Sequence, residues 1–339
     1  MKTTAQQHKA IPATSALAGL LHAAELPATL LDFAKLTGQD PVLPSSFAVG
    51  TAAQTSIAAS ALAAVQLGQL RGASAQRITV AMRHAALECC NHFLLDGQLV
   101  DISDKLTGLY RCGDGGWVRI HANFAHHRDG ALALLGCPVG PDTRREQVAK
   151  ALSTWAAQDV EDAAAQAGLV VTKLRSFAEW DAHPQGQAVA RLPLLTLERI
   201  GDAAPIRLPD IHDAAMPLSN LRVLDLTRIL AGPAGSRALA AYGADVLMIN
   251  APHLPNIRAI AEMSRGKRSA HLDLRDAAGR ATLRALLADA HVLMQGYRPG
   301  ALDALGISPE ECARARPGIV YVSLSAWGHV GPWAARRGF

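Results

Sequence analysis

Charge is scarce in this 339-residue chain: Asp, Glu, Lys and Arg together make up 18%, and aromatic residues only 4%. Lys and Arg exceed Asp and Glu by 33 to 29, too small an imbalance to imply a nucleic-acid surface. Cysteine is equally thin: Cys89, Cys90, Cys112, Cys137 and Cys312 are odd in number and include no CxxC pair. That pattern argues against a disulfide framework or a structural zinc site and fits a reducing cytoplasm. No secretory leader is expected, because His22 and Glu25 interrupt the one early apolar run. Residues 41–70 include no charge, yet they carry Gln54, Gln66, Gln69 and six Ser or Thr among many alanines. A tightly packed internal helix is a better reading of that stretch than a membrane span.

What is present points to a folded chain in two parts. Half of the residues are apolar, enough for a large core, which excludes disorder. The length suits two domains. From Ile211 onward there are 15 Lys or Arg against 10 Asp or Glu, and before it 18 against 19. A bound anion is therefore expected on the C-terminal part. Residues 201–217 hold three prolines and no sustained period, which marks a linker. The expected division is a first part over 1–204, a linker over 205–217 and a second part over 218–339.

The second part alternates cleanly. Short β runs at Leu221–Leu226, Asp245–Asn250, Ser269–Leu274, His291–Gly296 and Ile319–Ser325 are separated by helical stretches at Ala234–Tyr242, from Asp276 to about Ala288, and after Ser308. Strand, helix, strand at this spacing predicts an α/β fold with a parallel sheet and right-handed crossovers. The first part reads as a helix-rich α+β region. An Ala-rich helix over Ala52–Leu70 leads to a strand over Arg77–Met82 and a helix over Arg83–Leu95. A hairpin then joins Leu109–Cys112 to Trp117–His121 through Gly113-Asp-Gly-Gly, and helices dominate to about Ala190.

Several motifs bear on chemistry. The first strand-to-helix turn, Leu226-Thr-Arg-Ile-Leu-Ala-Gly-Pro-Ala-Gly235, lies where α/β sheets bind ligands, but it lacks G-x-G-x-x-G, and the next strand ends in Asn250 rather than an acid. A nicotinamide-dependent oxidoreductase is thus a weak reading. Arg265-Gly-Lys-Arg268 is either a solvated charge cluster or a phosphate site; it lacks the Ser/Thr and upstream glycine of a P-loop. Gln295 and Tyr297 flank Gly296 at a strand tip, which suits ligand contact. His121, His126 and His127 with Cys112 make a poor metal site, since adjacent helical residues diverge by about a hundred degrees. Cys89 and Cys90 read as buried, inert thiols in a helix. No G-x-S-x-G elbow occurs.

Five segments follow one another in a familiar order: Pro217-Leu-Ser-Asn-Leu-Arg-Val-Leu-Asp-Leu-Thr-Arg-Ile-Leu-Ala-Gly-Pro233, Tyr242-Gly-Ala-Asp-Val, Arg265-Gly-Lys-Arg-Ser-Ala-His-Leu-Asp-Leu274, Gln295-Gly-Tyr-Arg-Pro-Gly-Ala-Leu302 and Val322-Ser-Leu-Ser-Ala-Trp-Gly-His-Val-Gly-Pro332. Together they resemble the family III CoA-transferases, the formyl-CoA transferase, CaiB and BaiF group. The resemblance implies a Rossmann-like sheet that binds coenzyme A, with no metal and no nucleic acid, and a homodimer of interlocked chains in the cytoplasm. Its substrates would be an acyl-CoA and a carboxylic acid. The CoA-contacting positions it implies are Leu230, Leu272, Leu274, Arg275, Gln295, Gly296, Tyr297 and Ala301, with Lys267 and Arg268 as cations for the phosphates. Ala304 and Ser325 stand where some members carry an Arg and a Lys.

The first part resembles the same family's later portion, so the chain carries the second half followed by the first. Family members attack the thioester with an aspartate, forming a mixed anhydride and then an aspartyl-CoA thioester. The resemblance puts Thr51 at that aspartate, and puts Phe339 near the histidine of the racemase branch. The expectation is a CoA-transferase, a fragment of a tandem two-copy member and inactive on its own. A non-catalytic CoA-binding partner is the alternative.

Overall fold

The structure is a computed structural model that describes residues 11–90, 93–213 and 215–338. Phe339, the residue aligned with the racemase histidine, lies outside them. The first part opens with helix α1 (Ala13–Ala23), strand β1 (Ala34–Thr37), helix α2 (Val49–Leu70), strand β2 (Ile78–Ala81) and helix α3 (Met82–Cys89). Strands β1 and β2 pair in parallel. The uncharged stretch is the long α2, and its composition follows from its place: Ala58 and Leu62 pack against Leu17, Leu21 and Leu30, while Ala64 packs against Val223, Val246 and Met294 of the second part. A helix buried on two sides shows no polar face. Among the described residues no helix is long and apolar enough to cross a membrane.

A short hairpin, β3 (Leu94–Leu95) and β4 (Gln98–Leu99), stands where the helix expected over Arg83–Leu95 was to run on. The overlooked signal is Asp96-Gly97, whose φ values of 51° and 78° make the turn that reverses the chain. A second lobe follows. Strands β5 (Gly108–Arg111), β6 (Trp117–Ile120) and β7 (Val171–Lys173) form an antiparallel sheet, covered by helices α4 (Ala125–Leu134), α5 (Arg145–Leu152) and α6 (Ala157–Gln166). The β5–β6 hairpin matches the sequence reading; β7 differs from it, three residues of strand in a stretch expected to be helical. Helices α7 (Phe177–Ala182) and α8 (Pro184–Val189) close this part.

The described residues of 191–217 hold no helix or strand, but they are fastened down. Arg71, 3% exposed, donates to the carbonyls of Pro209 and Pro217, each at 2.8 Å, and the Ile211 amide returns a bond to the Arg71 carbonyl.

The second part is a five-stranded, wholly parallel sheet in the order β10–β9–β8–β11–β12, with β8 at Arg222–Asp225, β9 at Asp245–Asn250, β10 at Arg268–His271, β11 at Val292–Gln295 and β12 at Val320–Ser323. Helices α9 (Ala231–Ala241), α10 (Ile260–Met263), α11 (Ala277–Leu287) and α12 (Pro309–Ala315) connect the strands. Successive strand residues face opposite ways. Val223, Val246 and Val292 meet α2 and α9, while Leu224 and Leu293 meet α11 and α12. The third strand ends earlier than expected. Asp273 accepts the Arg275 amide at 3.0 Å, and this Asx turn stops the strand and leads into α11. Leu272, Leu274 and Arg275 therefore follow β10 instead of lying along it.

Two buried glutamines fasten the fold, one within the first part and one between the parts. Gln54, fully buried, donates through Nε2 to the carbonyls of Thr37 at 2.9 Å and Val80 at 2.7 Å, tying β1 and β2 to α2. Gln185, also fully buried, donates to the Trp327 and Val330 carbonyls at 2.6 and 2.9 Å and accepts the Trp333 amide at 2.7 Å. Replacing Gln54 by Leu strands two carbonyls without donors, and should destabilise the fold by about 1–3 kcal/mol. Urea denaturation measures this; an unchanged midpoint would show that the two bonds contribute nothing net.

Candidate functional site

Strand order reverses between β8 and β11. From β8 the chain crosses toward β9, and from β11 toward β12. In parallel α/β sheets the crevice at such a reversal, outside the carboxyl ends of the strands, is where ligands bind. The turn after β8 and the turn after β11 flank it. The first is sharply bent: Ile229 has φ 74°, a left-handed conformation costly for a β-branched side chain. It is followed by Leu230 at the N-cap of α9. Gly232 is needed there, since a Cβ would stand 2.4 Å from the Thr227 Cβ.

Beneath the turn lies a buried polar network. Asp225, fully buried, accepts from the Thr227 amide at 2.9 Å, from Thr227 Oγ1 at 2.5 Å and from Ser236 Oγ at 2.5 Å. Lys267 completes it. Its Nζ donates to Asp225 Oδ2 at 3.0 Å, to the Pro233 carbonyl at 2.9 Å and to Ser236 Oγ at 2.6 Å, using all three of its protons. Neither side chain of the pair reaches solvent. Burial pulls the Lys267 pKa down, against the opposing pull of the Asp225 charge. Lys267 is thus neither a solvated cation nor a surface group offered to a phosphate, whereas Arg265 and Arg268 stay at the surface.

The remaining sequence-predicted positions divide. Leu230 follows β8, and Gly296 and Tyr297 follow the adjacent β11; Gly296 is exposed, and Leu230 and Tyr297 are half-buried. Gln295 is 6% exposed, donates to Ser323 Oγ at 2.7 Å and accepts the Tyr297 amide at 2.7 Å. Its polarity at the strand tip therefore has a structural account, as a brace for the Gly296–Tyr297 turn. Ala301 is exposed, beyond that turn. Leu272 and Leu274 pack at the margin of the adjoining core. Both exposed arginines are already matched: Arg268 holds Asp245 in a fork at 2.5 and 2.6 Å, and Arg275 holds Asp273 at 2.6 and 2.9 Å. The Arg275 hydrogen bonds bring the Asp273 carboxyl down to about 2. Ala304 is exposed and Ser325 half-buried.

A narrow cleft beside this crevice is lined by Thr227, Arg228, Ile229, Asn250, Asn256 and Ile257, among others. Arg228 and Asn256 escaped the sequence reading, although Arg228 sits in the Leu226–Gly235 turn. Its guanidinium donates to the Pro255 carbonyl at 2.5 Å, and burial lowers its pKa.

Thr51 lies in the first turn of α2. Asp40 accepts from the Gly50 amide at 3.1 Å, the Thr51 amide at 2.7 Å and Thr51 Oγ1 at 2.6 Å. A carboxylate does stand at this helix end, then, but it comes from Asp40 and is engaged by three donors. Elsewhere, the His126 and His127 rings approach to 4.2 Å despite being sequence neighbours. Among the described residues no group of three or more His, Cys, Asp or Glu is arranged to hold a metal. Cys89 is exposed and Cys90 half-buried, which corrects the expectation of two buried thiols; α3 ends there instead of continuing.

Residues 218–339 match the family model for CoA-transferase family III. An acyl-CoA transferase of Gibberella moniliformis is 30% identical over 250 residues, covering 69% of this chain and 44% of its own length. Acetyl-coenzyme A transferase nodX of Hypoxylon pulicicidum is 29% identical over 256 residues, covering 69% of this chain and 42% of its own length. Both alignments are far longer than the family match and so include much of the chain ahead of Leu218. The chain spans less than half the length of these curated relatives. The crystal structure of a CaiB/BaiF family protein from Brucella suis is 33% identical, with a TM-score of 0.35 over 37% of each chain.

The buried pair makes a sharp prediction. Lys267→Met leaves the Asp225 charge uncompensated and should cost about 3–5 kcal/mol, while adding Asp225→Leu to that variant should recover much of the loss. Denaturant titration of both variants checks it; a loss below about 1 kcal/mol for Lys267→Met would contradict the network's role.

Proposed function

We propose, from the membership of residues 218–339 in CoA-transferase family III, that this chain binds coenzyme A at the tips of β8 and β11 and serves CoA transfer between an acyl-CoA and a carboxylic acid. The observation that carries the reading is a coincidence of place: the family match covers the strand reversal, and Leu230 and Gly296–Tyr297 follow the two adjacent strands there. Apolar Leu230 and Tyr297 suit the adenine and the thin pantetheine arm. Leu272 and Leu274 extend the apolar margin, and Ala301 leaves room beside the Gly296 turn. Phosphates favour cations and helix N-termini. Arg268 and Arg275 could serve only by exchanging their present carboxylate partners, which makes Arg228, beside the crevice, the stronger candidate. In the family's chemistry an enzyme carboxylate attacks the thioester carbonyl and CoA thiolate leaves. The resemblance puts Thr51 at that position, and a hydroxyl is a poor nucleophile near neutral pH. We assign the assembled protein to a homodimer, as the family resemblance implies.

Thr51 favours one further reading, a non-catalytic CoA-binding partner. Incubation with an acyl-CoA and hydroxylamine separates the two. The transferase reading expects an acyl or CoA adduct on the chain by mass spectrometry; CoA binding without any adduct selects the non-catalytic partner. Binding itself is checked by calorimetric titration with CoA and with NAD. CoA should bind in the micromolar range and NAD should not, and Tyr297→Ala should weaken CoA by about tenfold. NAD binding with none for CoA would overturn the proposal.

A further inference from the structure

Where the two parts of the chain meet, four basic side chains converge. The Arg228 Cζ lies 5.9 Å from the centre of the Phe124 ring. The His126 ring stacks on Phe124 at 5.5 Å and meets His127 at 4.2 Å. Arg337 arrives from the segment clamped by Gln185. Its Nε lies 3.9 Å from where a Cβ on Gly168 would stand, and its charge acts on both histidines. Among the described residues, no ion pair engages Arg228 or Arg337, whereas Arg128, Arg175, Arg237, Arg268 and Arg275 each hold a carboxylate.

Two independent features point the same way. Helix α4 runs ten residues from the N-cap Phe124, with no side chain capping its start. Its first amides and its dipole therefore present positive charge to this junction. Beside them His127 is 2% exposed, and neither of its ring nitrogens has a hydrogen-bond partner. Burial, with the charges of His126 and Arg337, pulls its pKa to about 4. Like charges gathered around an unpartnered, buried polar ring repel one another, and an anion between them would relieve that repulsion and supply acceptors.

We propose that this junction is an oxyanion site, in which Arg228 and Arg337 hold a carboxylate or phosphate over the first turn of α4, with His126 and His127 beside it. Arg228 lines the cleft beside Thr227 and Ile229 in the turn after β8, so the site adjoins the strand reversal. The inference deepens the CoA-transferase reading, in which a free carboxylic acid and the phosphates of CoA are both ligands, but its test uses free anions and no thioester. Calorimetric titration of the full chain with succinate and with adenosine 3′,5′-bisphosphate should show binding of at least one. Succinate binding identifies a carboxylate site, bisphosphate binding a nucleotide-phosphate site. Affinity should fall with salt and drop about tenfold or more in Arg228→Met and in Arg337→Met, with the far-UV circular dichroism unchanged. Should Arg228→Met fail to fold, Arg337→Met alone decides. No binding of either probe, or binding that both arginine substitutions leave intact, overturns the site. Anion binding without any CoA binding keeps the site and removes the reading it deepens.

Discussion

The buried pair of Lys267 and Asp225 is the constraint on which the second part depends. One carboxylate at the end of β8 receives the amide and hydroxyl of Thr227, the hydroxyl of Ser236 and the ammonium of Lys267. It thereby fixes a strand end, the bent turn after it, the first half of α9 and the approach to β10. A charge pair this deep contributes little net stability by itself, but removing either partner leaves an uncompensated charge. That is why the turn at Ile229 can hold a conformation a β-branched residue avoids, and why Leu230 is presented at the crevice. The same pair removes Lys267 from the inventory of surface cations, and with Arg268 and Arg275 already in carboxylate forks, the unmatched positive charge shifts to Arg228 and Arg337.

The two parts are held together by shared burial, not by a tether. Helix α2 belongs to both cores, and Arg71 binds the connecting segment at two carbonyls. Gln185 clamps the Trp327–Trp333 segment, while Arg336 lies 3.6 Å from Glu161 and over the Trp333 ring. This docking brings the start of α4, in the first part, against Arg228, in the second. The similarity to the proteins of Gibberella moniliformis and Hypoxylon pulicicidum extends ahead of Leu218.

Much of the second part was legible because period and punctuation agree there. Asp245–Asn250 is a run of four apolar residues between polar ones, ends where a turn begins, and forms a strand with those bounds. The Gly113–Gly116 turn likewise announced its hairpin. What stayed hidden was decided by distance or by brevity. Strands β1 and β7 are four and three residues long, too short for a period, and each exists because a partner strand stands beside it. Lys267 looks solvated in sequence because its partner lies 42 residues away, and Gln295 looks free because Ser323 is 28 residues away. The Asp96-Gly97 turn is legible, but an apparent helical period runs across it. Near the strand reversal, the sequence named Leu230, Gly296 and Tyr297, which follow the adjacent strands β8 and β11, but not Arg228 or the carboxylate of Asp40 at Thr51.

The central claim is that the crevice between β8 and β11 holds coenzyme A. A crystal structure of the full chain soaked with CoA tests it most directly. The account predicts the nucleotide lying across the turns at Leu230 and Gly296–Tyr297, with the Asp225–Lys267 pair intact beneath it. A crevice left empty at saturating ligand, or CoA seated on another face, would contradict it.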